Sequence, residues 1–324
     1  MSRTALIIGA SGQDGSFLTA FLLKKNYNVV CTSRSTKTSG YPNHIILGIE
    51  GNVEYVTLNP NDTFKVIEIL NRYKPDEIYN LAAQSSVGLS FKKPIETFES
   101  IVFGTINILE GIKSLNLKTK LFNAGSCEAY GNHGKFPIRE ETTRKPVSPY
   151  GISKSSVQDF IELYRNSYSI FACTGILFNH ESHLRGGNFV TRKIIETAVK
   201  IKKGFEKNLT LGNLDIHRDW GWAPEYVEAM WLMLQLESPE DFIIATGKTH
   251  SLKDFVNNAF SILGLDYREY TKTNNDFYRP QDIIMTVANP SKSFNIIGWK
   301  AKVDFNSLID KLVDNELKKY NKHF

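Results

Sequence analysis

A glycine-rich segment directly behind the first apolar run is the feature that most constrains the fold of this chain. The apolar run Ala5–Ile8 is followed by a G-x-x-G-x-x-G pattern and then by a predicted helix, Gln13–Lys25. Glycines at a strand-to-helix turn let the backbone approach a pyrophosphate, which the helix N-terminus then faces. The arrangement therefore predicts a dinucleotide-binding β-α-β unit. The residues expected to contact the cofactor in this loop are Gly9, Ser11, Gly12, Gln13, Asp14 and Gly15.

Short β-branched runs alternate with helical stretches through the first half of the chain. The predicted strands are Ala5–Ile8, Asn28–Thr32, Val53–Thr57, Glu77–Asn80, Lys120–Asn123 and Phe171–Ile176, and the predicted helices are Gln13–Lys25, Thr63–Arg72, Thr97–Ser114 and Tyr150–Ser169. Such alternation is typical of right-handed β-α-β units around a parallel sheet. We therefore predict an α/β fold, a Rossmann-like doubly wound parallel sheet with a smaller, interleaved α/β substrate-binding lobe.

The regular alternation of predicted strands and helices becomes less clear near residue 175 and then partly returns. A predicted helix, Glu225–Leu236, and a predicted strand, Phe242–Ala245, are followed by two amphipathic helical patterns at Ser251–Leu263 and Phe305–Lys319. The helix and strand that return are expected to rejoin the first sheet, so the two lobes would be interleaved. We expect the cofactor-binding domain to comprise 1–174 and 220–250, and the substrate-binding domain to comprise 175–219 and 251–324.

Composition argues against several other classes of protein. The chain has 324 residues, 41% hydrophobic and 23% charged, which argues against disorder and coiled coil. Its formal charge of +5 is scattered along the sequence, so nucleic acid is not an expected partner. No apolar run reaches the roughly 18 residues of a membrane span, so no membrane partner is expected. Cys31, Cys127 and Cys173 lie far apart without a CxxC, which predicts a reducing cytoplasm and no metal site.

The end of the second predicted strand bears on the choice between NAD and NADP. An acidic residue there would bond the ribose 2′-hydroxyl of NAD, whereas this sequence has Arg34. A guanidinium suits a 2′-phosphate, so we expect NADP, with a solvated loop arginine as the alternative. The segment Ser33–Gly51 that follows is rich in Ser, Thr and Gly and predicts an extended loop with a functional use.

A Tyr-x-x-x-Lys pattern begins a later predicted helix. Tyr150 and Lys154 are four residues apart, so both side chains lie on one helix face. A neighbouring ammonium favours the phenolate, which makes the tyrosine usable as a base. Ser126 stands just beyond the fifth predicted strand, where ligands bind in open parallel sheets, and its hydroxyl could orient the oxygen that Tyr150 deprotonates.

The glycine loop, the Ser126, Tyr150 and Lys154 set, and the stretch 80–85 (NLAAQS) together resemble the extended short-chain dehydrogenase/reductase family. Within it the chain is similar to the GDP-mannose 4,6-dehydratases. The similar stretches are 8–17 (IGASGQDGSF), 77–85 (EIYNLAAQS), 175–182 (GILFNHES), 188–194 (NFVTRKI), 212–221 (GNLDIHRDWG), 226–234 (YVEAMWLML) and 278–280 (YRP).

The resemblance implies an NADP-dependent 4,6-dehydratase of a GDP-sugar, most directly GDP-mannose, with no net redox change. Tyr150, assisted by Lys154 and Ser126, would oxidise C4 by removing the hydroxyl proton while the cofactor takes the hydride. Glu128 would then remove the C5 proton, water would leave from C6, and the hydride would return to C6. Epimerases and reductases of the family do not need an acidic residue at the position of Glu128, so this residue favours a dehydratase.

The resemblance also assigns the remaining site residues and the assembly. Further cofactor contacts would be Leu81, Ala82, Ala83, Gln84, Tyr150, Lys154, His180 and Arg185. Contacts to the nucleotide sugar would be Ser85, Asn179, Lys193, Arg218 and Arg279. The helices near Thr97–Ser114 and Tyr150–Ser169 resemble a family dimer interface, which implies a homodimer, or a homotetramer if the Ser33–Gly51 loop also makes contacts.

Four departures from the family pattern leave alternatives open. Cys127 replaces a serine and is expected to be a small packed residue, Ser35 replaces the second of two arginines, and Asn59-Pro60 replaces Asp-Leu. The stretch before Tyr278 is shorter than in the family. Another GDP-sugar such as a GDP-manno-heptose is therefore an alternative substrate. A nucleotide-sugar epimerase or 4-ketoreductase is the alternative activity, and a cofactor-sensing regulator is the non-enzymatic one.

Overall fold

The computed structural model describes residues 2–35, 40–132, 134 and 136–321. Its strands are β1 Thr4–Ile8, β2 Asn28–Ser33, β3 Glu54–Thr57, β4 Glu77–Asn80, β5 Lys120–Ala124, β6 Ala172–Leu177, β7 Asn179–Glu181, β8 Leu209–Leu211, β9 His217–Arg218, β10 Trp220–Trp222, β11 Phe242–Ile244, β12 His250–Ser251 and β13 Thr271–Thr273.

The helices cover the faces of the sheet and form most of the second lobe. They are α1 Gln13–Lys24, α2 Pro42–Leu47, α3 Thr63–Tyr73, α4 Val87–Lys92, α5 Pro94–Phe98, α6 Gly104–Ser114, α7 Pro149–Tyr168, α8 Val190–Lys202, α9 Ala223–Leu234, α10 Leu252–Ile262, α11 Tyr267–Tyr270, α12 Ser291–Ile297 and α13 Phe305–Asn321. Short 3₁₀ turns lie at Glu50–Asn52, Cys127–Ala129 and Asn275–Phe277, and Glu99–Phe103 forms a π-helical turn between α5 and α6.

The central sheet is parallel and doubly wound. Its seven strands run in the order β11-β6-β5-β4-β1-β2-β3. The chain proceeds outward from β1 to β3 and then returns to the other side of β1 with β4, so the strand order reverses between β1 and β4. Ligands of open α/β sheets bind outside the carboxyl ends of the strands at such a reversal. The predicted α/β, Rossmann-like fold is therefore confirmed.

Both faces of the central strands are buried, which explains why β1 and β6 are nearly continuous apolar runs rather than alternating ones. Ala5 and Ile7 of β1 pack in a cluster with α1 and α9, whereas Leu6 and Ile8 pack in a cluster with α3, α6 and α7. A third cluster joins α8, α10 and α13 in the second lobe. The division of the chain into two domains stays a prediction, although β11 does pair with β6 at the edge of the central sheet.

Two predictions of local structure are wrong. Within the predicted extended loop Ser33–Gly51, Ser33 belongs to β2 and Pro42–Leu47 forms α2, because proline suits the first turn of a helix and Gly48 ends it with φ of +65°. Residues 36–39 of that segment lie outside the described residues. The predicted helix Thr97–Ser114 begins at Pro94 and passes through the π-helical turn. The other predicted helices differ at their ends by one or two residues.

Candidate active site

A cavity of about 530 Å³ opens at the point where the strand order reverses. The predicted cofactor residues that line it are Gly9, Ser11, Gly12, Gln13, Asp14, Gly15, Arg34, Leu81, Ala82, Ala83, Gln84 and Arg185. Ser85, which the resemblance assigns to the substrate, lines the same cavity. Residues that sequence reasoning did not assign to the cofactor but that line it include Asn43, Leu58, Asn59, Glu96, Glu99 and Phe189.

The glycine loop packs closely against neighbouring backbone only because its glycines lack side chains. Gly9 has φ of +92°, and a Cβ there would lie 2.7 Å from the backbone nitrogen of Ala82. A Cβ on Gly15 would lie 2.5 Å from the carbonyl oxygen of Gly9. Gly12 caps α1, whose first backbone N–H groups lack partners within the helix and face the cavity side. The loop therefore fits the pyrophosphate of a dinucleotide.

Helix α2 packs beside α1 and holds the glycine loop through two side chains. Asn43 donates to the carbonyl of Ser11 at 3.1 Å, and His44 Nε2 lies 3.0 Å from the carbonyl oxygen of Ala10. That oxygen can only accept, so Nε2 carries the hydrogen and Nδ1 accepts from the Tyr55 hydroxyl at 3.0 Å. Burial lowers the pKa of His44, which keeps the ring neutral in this role. Sequence reasoning missed these contacts; the Pro42 helix-start signal was the available clue.

Both ring nitrogens of His180 face hydrogen-bond acceptors. Its Nδ1 lies 2.6 Å from the carbonyl oxygen of Phe178 and its Nε2 lies 2.9 Å from Asp14 Oδ2, and both of these are acceptors. Burial opposes the charge, but the Asp14 carboxylate outweighs it and raises the pKa of His180. Gln13 donates to the His180 carbonyl at 3.2 Å, so the start of α1 is tied to β7.

Tyr150, Lys154 and Ser126 are brought together as the spacing predicts. Lys154 Nζ lies 5.8 Å from the centre of the Tyr150 ring and donates to the carbonyl of Ala124 at 2.6 Å. The Ser126 hydroxyl is near enough to Tyr150 to act to lower the pKa of its phenol. Burial raises the pKa of Tyr150 and lowers the pKa of Lys154 to about 8, with Asp14 acting against the latter change. The three side chains can orient and deprotonate a hydroxyl.

Glu128 lies in the 3₁₀ turn after β5, close to the tyrosine. The turn forms because the Ser126 hydroxyl accepts from the Glu128 backbone N–H at 3.2 Å. Glu128 is only 8% exposed, and burial raises its pKa although Arg218 and Arg279 act to lower it. A carboxylate with a raised pKa suits a group that must take up a proton and then release it.

Two of the predicted substrate residues converge on a carboxylate that sequence reasoning did not single out. Asp282 Oδ1 accepts from Arg218 at 2.9 Å and from Arg279 at 3.2 Å. Lys193 makes other contacts: its Nζ donates to the Thr210 carbonyl at 2.7 Å and lies 4.3 Å from the centre of the Phe277 ring.

Asn179 and Arg185 lie on the segment that connects β6 to α8. Asn179 begins β7 and its side-chain oxygen is buried without a partner among the described residues. Arg185 pairs with Glu181 at 3.2 Å and stacks over Phe189, with its guanidinium carbon 3.7 Å from the ring centre. The cofactor residues Tyr150, Lys154 and His180 do not line the cavity, but Asp14 does, and it acts electrostatically on both Lys154 and His180.

Three of the residues that depart from the family pattern can be located in the structure. Cys127 packs among apolar residues that include Ile176 and Phe178, and burial raises the pKa of its thiol, so it has the environment of a packed residue and not of a nucleophile. Asn59 and Pro60 line the cavity.

In the described part of the chain, no cluster of three or more His, Cys, Asp or Glu side chains could hold a metal ion, and no helix is long and apolar enough to cross a membrane.

Comparison with known sequences gives full-length matches. A family model described as GDP-mannose 4,6 dehydratase matches residues 6–312. GDP-mannose 4,6 dehydratase 1 of Arabidopsis thaliana is 40% identical over 325 residues, which cover 97% of this chain and 90% of the relative. The Homo sapiens GDP-mannose 4,6 dehydratase is 39% identical, covering 98% and 93%. The Vibrio cholerae GDP-mannose 4,6-dehydratase is 35% identical, covering 99% and 95%.

Comparison with solved structures gives the same fold at lower identity. UDP-glucose 4-epimerase of Thermotoga maritima, solved with UDP-glucose, superposes with a TM-score of 0.86 at 23% identity and covers 98% of this chain and 99% of that one. The dTDP-glucose 4,6-dehydratase of Bacillus anthracis, solved with NAD, gives a TM-score of 0.84 at 20% identity, covering 99% and 98%. At these identities the likeness shows the fold alone.

Proposed function

The chain belongs to the GDP-mannose 4,6-dehydratase family, and from this premise we propose that it converts GDP-mannose to GDP-4-keto-6-deoxymannose with NADP as a recycled cofactor. The single observation that carries the proposal is the position of Glu128 beside Tyr150. Tyr150, Lys154 and Ser126 would suffice for oxidation at C4, whereas removal of water requires a further acid–base group within reach of C5 and C6.

The cavity at the β1–β4 reversal is the proposed cofactor site. The glycine loop would hold the pyrophosphate, with Arg185 and the α1 N-terminus facing its charge. Arg34 lies at the end of β2 on the cavity wall, where a guanidinium would pair with a 2′-phosphate. Glu96 also lines this wall, but its carboxylate pairs with Lys93 at 2.8 Å. A bound nicotinamide would supply the hydride acceptor for C4 and the hydride donor for C6.

Tyr150 is the proposed base for the first step. It takes the proton of the 4-hydroxyl as the C4 hydrogen leaves with its electron pair, and the C4–O bond becomes a carbonyl. Ser126 orients the same oxygen, and the Lys154 ammonium, 5.8 Å from the centre of the Tyr150 ring, stabilises the phenolate that burial disfavours. These roles need the three side chains on one side of the sugar.

Glu128 is the proposed acid–base group for elimination. The C4 carbonyl acidifies C5, Glu128 takes the C5 proton, and the same proton is given to the departing C6 hydroxyl, which leaves as water. Hydride then adds to C6, and the proton held by Tyr150 is returned to C5. The sugar loses one water with no net change in oxidation state, and both side chains end in their starting protonation states.

The substrate side of the site is proposed to bind the diphosphate of the nucleotide sugar. Arg218 and Arg279 supply two guanidiniums beside Glu128, and forked guanidiniums match phosphate oxygens. Lys193 and Asn179 are proposed further contacts, as is Ser85. In this arrangement the nucleotide-sugar lobe would be 175–219 and 251–324, and the cofactor lobe 1–174 and 220–250.

Incubation of the purified protein with nucleotide sugars tests the activity. With GDP-mannose and a catalytic amount of NADP, mass spectrometry should show a product lighter by one water while NADPH absorbance stays flat. A panel of a GDP-manno-heptose, UDP-glucose, dTDP-glucose and CDP-glucose identifies any other dehydration substrate. Stoichiometric consumption of NADPH with a keto-sugar would indicate a reductase instead, and intact GDP-mannose would refute the proposed substrate.

Binding of the two cofactors tests the choice of NADP. We expect the wild type to bind NADPH more tightly than NADH, and Arg34→Ala to lose about tenfold of its affinity for NADPH while its affinity for NADH is unchanged. Fluorescence titration of each reduced cofactor measures both constants. Equal losses for the two cofactors would mean that Arg34 does not contact a 2′-phosphate.

A homodimer is the proposed assembly. Exposed apolar side chains lie on the helical layer formed by α5, the π-helical turn and α7, which is the region that resembles the family dimer interface. They are Ile95, Phe98, Phe103, Ile152, Leu163 and Tyr168. A monomer carrying such a surface would expose an apolar patch to water. Light scattering after size-exclusion chromatography should give a dimer or tetramer mass, and Leu163→Glu should shift it toward the monomer.

A further inference from the structure

Asp282 is a carboxylate shared by two arginines. Its Oδ1 accepts from Arg218 at 2.9 Å and from Arg279 at 3.2 Å. Arg218 is also held by the carbonyls of His217 and Ile283 at 2.9 and 2.7 Å and is only 4% exposed. Two guanidiniums against one carboxylate leave one net positive charge, and without the carboxylate their mutual repulsion would oppose this close arrangement.

The segment that carries Asp282 is tied to its surroundings on both sides. Asn132 donates to the Asp282 carbonyl at 2.7 Å and accepts from the Ile284 backbone N–H at 3.0 Å. His217 donates through its backbone N–H to the Ile284 carbonyl at 2.7 Å, beside a parallel bridge between His217 and Met285. Asp282 is therefore fixed by backbone contacts that do not depend on either arginine, so it can orient both.

The arginine pair also lies within electrostatic reach of Glu128. The titratable and charged groups that face Glu128 are Arg218, Arg279, Asp282, Tyr150 and Cys127. Burial raises the pKa of Glu128, the two arginines act to lower it, and Asp282 acts to raise it. A dianionic diphosphate bound to the arginines would act in the same direction as Asp282.

We propose that Asp282 is a positioning residue that preorganises Arg218 and Arg279 as a diphosphate clamp. The inference rests on the proposed function and names a residue that the function does not itself require.

Asp282→Asn tests the positioning role, because the sign of its effect separates two explanations. If Asp282 acts only as a negative charge near the phosphates, its removal should tighten binding of GDP and of inorganic pyrophosphate. If it positions the arginines, binding should weaken by about tenfold despite the added positive charge. Asp282→Glu keeps the charge but displaces the carboxylate, so it should also weaken binding. Calorimetric titration with each probe measures the change.

The pH dependence of turnover is a second readout for Asp282. The acid limb of kcat/KM reports groups of the free enzyme. Asp282→Asn should move that limb to lower pH, since it removes a negative charge that acts to raise the pKa of Glu128. A merely structural defect would leave that limb in place.

The controls distinguish failure of this inference from failure of the proposed function. Asp276 lies in the same segment, is exposed and contacts Asn274, so Asp276→Asn should leave every constant unchanged. NADPH binding by Asp282→Asn reports that the fold is intact. Unchanged or tighter binding of pyrophosphate, or an unmoved acid limb, overturns the inference. If GDP-mannose is not the substrate, the proposed function fails, but the pyrophosphate titration still tests the clamp.

Discussion

Replacing Lys154 with methionine should make the protein more stable and nearly inactive. Lys154 is 8% exposed, and burial lowers its pKa to about 8 from the ordinary value of 10.5. A charged ammonium at neutral pH is therefore held in an environment that disfavours it. Methionine has a similar length and carries no charge, so the substitution removes that penalty without leaving a large cavity.

The size of the effect follows from the pKa and from one hydrogen bond. A folded-state pKa of about 8 in place of 10.5 corresponds to about 3 kcal/mol of destabilisation at pH 7. Methionine cannot donate to the Ala124 carbonyl, which Lys154 Nζ reaches at 2.6 Å, and an unpartnered carbonyl costs about 1–2 kcal/mol. The net gain is about 1–2 kcal/mol, or about 1.5–3 °C in melting temperature for a chain of 324 residues.

Thermal melts between pH 7 and pH 10 provide the assay, on protein stripped of cofactor. Over pH 8 to 10.5 the unfolded state binds a proton at Lys154 that the folded state does not, so the stability of the wild type rises with pH through this window. The advantage of Lys154→Met should therefore shrink as the pH rises. Lys202→Met, at an exposed position on α8, is the control and should change little.

A lower melting temperature for Lys154→Met at pH 7 would refute this reasoning. So would a difference from the wild type that does not shrink with pH, because then the buried charge is not its cause. In parallel, dehydration of GDP-mannose by the variant should fall by at least about 10²-fold, since Tyr150 loses the cation that favours its phenolate. Turnover near the wild-type rate would remove Lys154 from the catalytic set.

Three further substitutions test other parts of the site. Glu128→Gln should reduce dehydration by about 10²–10⁴-fold while NADPH titration shows unchanged cofactor binding, and wild-type turnover would contradict its role. Cys127→Ala should keep activity near that of the wild type in the same assay, because the pKa of the thiol is raised and the residue is packed among apolar groups. A loss as large as that of Glu128→Gln would contradict this expectation. His44→Ala should lower stability by about 2–5 kcal/mol, because it leaves the Ala10 carbonyl and the Tyr55 hydroxyl unpartnered. Calorimetric unfolding measures that loss of stability, and NADPH titration should show weaker cofactor binding. Unchanged stability and unchanged NADPH affinity would contradict the role assigned to His44.

The parts of the fold predicted from the sequence are those with local signals. The strand at Ala5–Ile8 and the glycines that follow it are specified by their own backbone requirements, so the β1–α1 turn could be placed before any tertiary contact was known. The Tyr150 and Lys154 pair is likewise local, because a helix puts residues four apart on one face. These signals suffice for most strands of the sheet, the glycine loop and part of the proposed catalytic set.

The parts that escaped prediction depend on contacts between distant segments. Helix α2 starts with the favourable residue Pro42, but the serines, threonines and glycines around it indicated a loop, and its bonds to the glycine loop are tertiary. The same applies to Asp282, which meets Arg218 across 64 positions of the chain. The raised pKa of His180 also depends on Asp14, 166 positions away, and nothing near His180 in the sequence indicates it.

The fate of the C4 hydrogen tests the central claim most directly. GDP-mannose carrying deuterium at C4 should be incubated with the protein and a catalytic amount of NADP, and the product examined by mass spectrometry and NMR. Hydride that is taken from C4 and returned to C6 of the same sugar predicts a 4-keto-6-deoxy product with deuterium at C6 and no accumulation of NADPH. Deuterium found in the nicotinamide pool, or a product that keeps its C6 hydroxyl, would contradict the account.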